Sequence, residues 1–341
     1  MRKAILIILY FGLFVSCNQC ETKDSELIME VVINKTEIDY YGAFESNSQF
    51  FNVRTDKKTE IKGEQGTFIV FPKGCFNTKE KEIKIELKEC YSIPDMIKNN
   101  LSTITSKNEI LETDGMIYIN ATTSNGDTLD LVKPIRIETV TRKKNSDMQI
   151  FNGKKERSIV WELSKSKIEV EEQIKTDIAK IEVEGDSIIR GKPIIEKSVI
   201  GKPEDYSDYV YSFTTDRLGT GWLNLDKYNY TKRTEIEITL ENKNQPVLYY
   251  LVFDNFSILL SGLEKKGKIE FIGGNQLPKN ETAILIGLIR NPDATYNFAS
   301  LNINTGKKSH VLPKLKKVTK QELDKILLEK FGKDIWSRPT A

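Results

Sequence analysis

The sequence contains one histidine, and this limits the catalytic chemistry that it could perform. His310 is the sole histidine among 341 residues, and it lies in the lysine-rich stretch Lys-Ser-His-Val. Hydrolases that combine a nucleophile, a base and an orienting acid use histidine as the base in most versions. A histidine in such a stretch is more typical of a solvated side chain, so we expect no catalytic role for it.

Spacings that hold metals or phosphate cofactors do not occur in the sequence. It has no Cys/His cluster with zinc spacing, no aspartate-rich calcium loop and no glycine-rich phosphate loop. We therefore expect no metal and no cofactor.

Pairs of carboxylates could still perform acid–base chemistry, because two acids that are distant in sequence can meet in a fold, as in glycosidases. The candidates are Glu112, Asp114 and Asp226. Each of them is more typical of a turn or a cap. A carboxylate-based hydrolase stays open as an alternative, although we expect the protein not to be an enzyme.

Aromatic residues offer the clearest candidate for ligand binding. Trp222 is followed by Tyr228 and Tyr230, and such rings could present a flat face to a sugar or a peptide. The alternative is that Trp222 is a core residue of a β-sandwich, because Leu223 and Leu225 flank it. The sequence favours a core position for Trp222 and leaves a ligand-binding role open.

The N-terminus has the form of a secretory signal. Arg2 and Lys3 precede an apolar run over residues 4–15, which is too short to span a bilayer as a mature helix. The run ends in Phe-Val-Ser-Cys, which resembles the lipobox of bacterial lipoproteins and implies acylation of Cys17. Acyl chains on this residue would hold the protein at a membrane. The alternatives are a plain signal peptide cut after Ser16 and an uncleaved anchor.

Composition excludes some classes of partner. The chain has 51 Lys and Arg against 49 Asp and Glu, and removal of Arg2 and Lys3 with the signal balances them at 49 each. A neutral balance argues against a nucleic-acid partner. Of four cysteines, Cys75 and Cys90 fall in or near one predicted hairpin, where about seven residues of strand would separate them by roughly 20 Å. We expect two buried free thiols.

Alternation of apolar and polar residues predicts a mainly β protein with two β-sandwich-like domains in tandem. Half-buried strands are predicted at 82–88, 116–122, 134–140, 180–185 and 234–241. The chain closes with an amphipathic helix, for which Thr319 and Glu322 form a capping box and Gly332 the stop. We expect this helix to dock on its own sandwich; binding of a partner is the alternative.

The predicted organisation has six parts. They are a lipoprotein signal peptide at 1–16, a lipid-anchored tether at 17–47, a first β-sandwich at 48–145, a mixed β and charged connecting region at 146–234, a second β-sandwich of immunoglobulin or fibronectin type at 235–312, and a C-terminal helix and tail at 313–341.

Several sequence blocks resemble an uncharacterised family of Bacteroidota envelope lipoproteins. The family pattern G-T-x-I-x-I-P-x-x-A-F matches "GTFIVFPKGCF" at 66–76, and its L-E-T-x-G-M-I-Y-I block matches residues 111–119. Further blocks match at 159–163 and 218–226. The first domain also looks distantly like the β-sandwich of netrin receptors and ankyrins. The resemblance implies an outer-membrane lipoprotein, facing the periplasm or the cell surface, and attaches no activity to it.

Two triplets resemble the Asp-Ser/Thr-apolar acceptor for O-glycans of the same envelopes. They place candidate modifications at Thr128 and Ser187. The sequence thus predicts a non-catalytic, lipid-anchored protein that presents β-sandwiches for binding a protein or a glycan. A structural or assembly role in the outer membrane is the alternative, and a hydrolase the second alternative.

Overall fold

A computed structural model describes residues 48–141, 145–156, 158–172, 209–241 and 247–332. These residues belong to one compact unit. The predicted signal peptide, the tether with Cys17, the acceptor Ser187 and the end of the C-terminal tail lie outside the described residues. None of the helices in the described part is long and apolar enough to cross a membrane.

The described residues are mainly β, as predicted, and form strands β1 to β21 and helices α1 and α2. The strands are β1 (Gln49–Arg54), β2 (Thr59–Lys62), β3 (Phe68–Phe71), β4 (Glu82–Cys90), β5 (Leu111–Thr122), β6 (Ile135–Thr141), β7 (Gln149–Lys155), β8 (Ile159–Leu163), β9 (Glu169–Glu172), β10 (Tyr209–Thr215), β11 (Trp222–Tyr228), β12 (Arg233–Glu235), β13 (Glu237–Leu240), β14 (Leu248–Phe253), β15 (Leu259–Lys265), β16 (Lys268–Phe271), β17 (Gln276–Pro278), β18 (Thr282–Arg290), β19 (Tyr296–Asn304), β20 (Ser309–Leu312) and β21 (Lys316–Val318). The helices are α1 (Ile93–Lys98) and α2 (Lys320–Phe331).

A sandwich of two sheets forms the first part of the fold. A six-stranded sheet has the order β1-β4-β5-β11-β7-β8, and a five-stranded sheet has the order β2-β3-β6-β10-β9. The predicted alternation appears as burial of every second residue along β4 and β6. The buried residues, such as Ile85, Ile117 and Ile137, form one core between the sheets.

The region 146–234 contributes interior strands to this sandwich. We expected it to connect two domains, but β11 lies between β5 and β7, and β10 lies between β6 and β9. β10 and β11 therefore pair with strands of the first sandwich that are distant in sequence, and such pairings leave no local pattern in a sequence.

An eight-stranded sheet forms the second part, with the order β20-β13-β16-β15-β14-β18-β19-β21. Its edge strands β20 and β21 are joined by the short link 313–315, which spans at most about 14 Å. Eight strands in a flat sheet would separate these edges by roughly 34 Å. The sheet must therefore curl, and it does so around a core that includes Tyr249, Leu251 and Leu285.

A second core lies between the six-stranded and the eight-stranded sheets. Met116, Trp161 and Trp222 of the six-stranded sheet cluster there with Tyr250 and Ile286 of the eight-stranded sheet. The six-stranded sheet is thus covered on both faces, because its strands also contribute to the core of the first sandwich. The two β-rich parts therefore share a core.

Helix α2 docks on the rest of the chain, as predicted. The Thr319–Glu322 capping box is present at its N-terminus. Leu323, Leu327 and Phe331 are buried in the second core. The Lys98 ammonium of α1 lies 2.8 Å from the Asp324 carboxylate of α2.

The two described cysteines are buried free thiols, which confirms the prediction. Cys75 and Cys90 form no disulfide. The hairpin that we expected to separate them does not form, because β3 and β4 belong to different sheets. Burial raises the pKa of Cys75 to about 11 and raises the pKa of Cys90 well above its usual value. Both shifts disfavour the thiolate, which is the nucleophilic form of cysteine.

Candidate ligand-binding cleft

An open cleft of about 690 Å³ lies where β5 and β7 begin and β11 ends. Its size falls in the range of small-ligand sites in proteins. Nine of the described residues line it: Glu112, Ser146, Asp147, Gln149, Lys227, Tyr228, Asn229, Tyr230 and Thr231. Two of the three aromatic residues that the sequence singled out therefore lie at one concave surface.

Pairing between β5 and β11 positions the charged part of the cleft. Glu112 and Lys227 are register partners across the two strands, and the Lys227 ammonium lies 3.2 Å from the Glu112 carboxylate. The Asn229 side-chain amide donates a hydrogen bond of 2.7 Å to the same carboxylate. Glu112 is therefore neutralised and held in one orientation.

Tyr228 and Tyr230 form a stacked pair at the rim. Their ring centroids lie 5.9 Å apart at an interplanar angle of 28°, and Tyr228 contacts Phe151 edge-on at 5.6 Å. Tyr230 is 86% exposed, which is the largest exposure among the large hydrophobic side chains of the described residues. Phe151 thus holds the Tyr228 ring in place, and Tyr228 in turn packs against one face of the Tyr230 ring.

A turn after β11 holds Tyr230 in place. The Asn229 side-chain oxygen accepts hydrogen bonds from the Thr231 backbone amide at 3.3 Å and from the Thr231 hydroxyl at 2.6 Å. The Arg233 guanidinium donates to the Asn229 carbonyl. Asparagine favours such local bonds in turns, so the chain is ordered on both sides of the exposed ring.

Trp222 lies away from the cleft lining. Its ring packs on Tyr118, with centroids 5.2 Å apart, and it is buried in the second core. The structure thus places Trp222 in the core role that the sequence favoured for it. Its position on β11 is six residues before Tyr228, at the opposite end of the strand.

Of the three acidic candidates, Glu112 alone lies in the cleft lining. Asp226 is fully buried, and burial raises its pKa well above the usual value for an aspartate. One of its carboxylate oxygens accepts a 2.6 Å hydrogen bond from Asn224, whereas the other has no hydrogen-bond partner. A carboxylate in this setting cannot contact a substrate, so Glu112 and Asp226 form no catalytic pair here. Asp114 is half-buried on β5 outside the cleft lining, and its charge adds to the rise in the pKa of Asp226.

We expect Asp226→Asn to stabilise the protein at neutral pH. Because the folded-state pKa is raised, the folded state binds the proton more tightly, and wild-type stability falls as pH rises above the unfolded pKa towards the folded one. The variant has no carboxyl group to ionise, so its stability does not fall in this way. Its side-chain oxygen can still accept a hydrogen bond from Asn224. Urea unfolding between pH 4 and pH 8 should show a shallower decline for the variant.

The matched control for this prediction is Asp254→Asn, at an exposed aspartate in the link between β14 and β15. It should leave the pH dependence of wild-type stability unchanged. An Asp226→Asn variant that is less stable than the wild type at pH 8 would show that the buried carboxylate contributes to the folded state.

The remaining predicted site residues lie apart from the cleft. Thr128 is exposed, next to the buried Leu129, and is therefore open to modification. A ring nitrogen of His310 lies 3.1 Å from the carbonyl oxygen of Asn304. Within the described ranges, no group of three or more His, Cys, Asp or Glu side chains could hold a metal.

Sequence reasoning missed Ser146, Asp147 and Gln149, which form one side of the cleft. They lie in a charged segment that we expected to connect two domains. A local signal was present in the Asn-Ser-Asp triplet, since the Asn145 side chain accepts a 3.0 Å bond from the Asp147 amide, as in an Asx turn. The pairing of β7 with β11 then brings this turn next to Tyr228 and Tyr230.

Comparison with known proteins adds no further assignment: no family profile, curated protein or solved structure matches this chain.

Proposed function

We propose that this chain is a non-catalytic, lipid-anchored envelope protein of Bacteroidota that binds a protein or glycan ligand in the cleft beside Tyr230. The observation that carries the binding role is the exposed Tyr230 ring, stacked on a braced Tyr228 at the rim of an open cleft. Burial of such a ring by a ligand is favourable, and its ordered turn lowers the entropy that binding would cost.

The sequence supports the proposed location at the outer membrane. The apolar run at 4–15 and the Ser-Cys pair that follows resemble a lipoprotein signal, and the blocks at 66–76 and 111–119 resemble the envelope lipoprotein family. In this proposal Cys17 carries the acyl chains and the outer membrane is the partner, with the compact unit facing the periplasm or the cell surface.

The alternatives receive less support from the geometry. A carboxylate-based hydrolase would need two accessible acids around a substrate, and Asp226 is buried while Glu112 is bonded to Lys227 and Asn229. A purely structural or assembly role gives no reason for an exposed aromatic ring beside an open cleft.

The proposed acylation and outer-membrane location are tested with the Cys17→Ala variant in cells that produce the full chain. Acylation needs the thiol, so we expect the variant to lose incorporation of labelled fatty acid and its place in the outer-membrane fraction. Cys20→Ala, three residues away, is the control and should behave as the wild type. A Cys17→Ala chain that is still acylated and still found in the outer membrane would overturn this part of the proposal.

A further inference from the structure

We propose that the ligand of this cleft is a neutral oligosaccharide, with one sugar ring stacked on the exposed face of Tyr230 and its hydroxyl groups bonded to the polar side chains around it. This inference rests on the proposed function, because it names the chemical class of the ligand for the same site. It follows from four properties of the cleft.

The exposed face of Tyr230 has a shape that a sugar ring can stack on. Tyr228 packs against part of one face of Tyr230, and 86% of the residue remains accessible, so the opposite face of the ring is open. The C–H groups on one face of a pyranose ring form a flat, weakly polar surface of similar size. A tyrosine at the open rim of a cleft can bury that surface without enclosing the rest of the ligand.

The surrounding side chains match a ligand with many hydroxyl groups. Ser146 and Gln149 can each donate and accept a hydrogen bond, whereas the Thr231 hydroxyl, which donates to Asn229, and the Asp147 carboxylate can only accept one. A sugar hydroxyl also donates and accepts, so this set can satisfy several hydroxyls at once. Among the described residues that line the cleft, none has an aliphatic side chain.

The charges of the lining argue against an anionic ligand. Among the described residues that line the cleft, Lys227 is the one basic residue, and it is already paired with Glu112. Asp147 adds a carboxylate at the rim. Within this described part of the lining, phosphate or uronate groups would therefore meet the Asp147 carboxylate while the lysine is already paired, which is unfavourable.

The backbone around the cleft does not favour an extended peptide. Peptides commonly bind by adding a strand to a free sheet edge, but β5, β7 and β11 are all interior strands of the six-stranded sheet. The β5 backbone near Glu112 is also bonded on its other side, where the Thr113 amide donates to the Ser257 carbonyl at 2.9 Å. A peptide would therefore depend on side-chain pockets, and the described lining residues include no aliphatic side chain that would anchor one.

The test is binding of the purified full chain to an array of neutral oligosaccharides, acidic oligosaccharides and short peptides. The neutral set contains glucose, mannose, galactose and N-acetylglucosamine oligomers, and affinities for bound members are then measured in solution. We expect binding to at least one neutral oligosaccharide, weakened by about tenfold or more in Tyr230→Ala, as for a central aromatic contact.

Two controls separate loss of the ring from loss of the fold. Tyr230→Trp keeps a stacking face and should retain binding, and Phe50→Ala removes another exposed aromatic ring, on β1 at the far edge of the sheet, and should bind as the wild type.

Binding of peptides alone, lost in Tyr230→Ala, would overturn the carbohydrate inference and leave the proposed binding site in place. Binding of acidic but not neutral oligosaccharides would likewise overturn the inference alone. If no member of the three sets binds in a way that depends on Tyr230, both the inference and the proposed binding role are overturned.

Discussion

Gly115→Ala is expected to destabilise the protein by about 4 kcal/mol, which combines the cost of a strained backbone with that of overpacking in a core. Gly115 has φ = +138°, a conformation that L side chains rarely adopt. It follows Asp114 at the point where the register between β5 and β11 shifts. An added Cβ would lie 2.3 Å from Cδ1 of Tyr91.

The Tyr91 ring has no room to move away from that Cβ. It is fully buried, and its hydroxyl lies 2.8 Å from the Thr67 hydroxyl. The overlap must therefore be relieved by displacement of β5, which also carries Glu112 of the cleft. Urea unfolding of wild type and variant measures the change in free energy.

Gly126→Ala separates the two causes of this effect. Gly126 also has a positive φ, of +89°, but an added Cβ would meet nothing within 4 Å. We expect a loss of about 1 kcal/mol there, from the backbone conformation alone. If Gly115→Ala cost no more than Gly126→Ala, the close packing of Tyr91 on this strand would be contradicted.

Leu327→Ala is expected to destabilise the protein by about 3 kcal/mol, the usual range for removal of a fully buried leucine. Leu327 is 0% exposed, and it belongs to the core that α2 shares with α1 and the two large sheets. The truncation would leave a cavity between these elements. The unfolding midpoint in urea should fall without a change in slope.

The neighbouring Leu328 provides a control on the same helix turn. Its side chain is 46% exposed, so Leu328→Ala should change the free energy of unfolding by less than about 0.5 kcal/mol. Equal effects of the two substitutions would contradict docking of α2 through its Leu327 face, and would favour the partner-binding alternative for this helix.

Local patterns predicted the elements of this fold well, because burial on one side of a strand or helix imposes a period on the sequence. Alternation marked β4 and β6, and the Thr319–Glu322 box marked the start of α2. These features depend on neighbours within about ten residues.

Long-range pairing could not be predicted in the same way. The insertion of β10 and β11 into the sheets of the first sandwich depends on partners as far apart as Thr113 and Asn224, which are hydrogen-bonded across 111 positions. The cleft likewise depends on pairing between strands that are distant in sequence. Tyr228 and Tyr230 were visible as aromatics, but Asp147 became part of the site only through the pairing of β7 with β11.

The central claim is that the cleft beside Tyr230 holds a ligand at the envelope. The most direct measurement replaces Tyr230 with the photo-reactive benzoylphenylalanine in cells that produce the full chain, because this residue keeps an aromatic ring and inserts into C–H bonds of sugars and peptides alike. Phe50, exposed on β1, is replaced in the same way as the control. The account predicts an irradiation-dependent adduct at position 230 and none at position 50; equal labelling of both positions, or none at position 230, would contradict it.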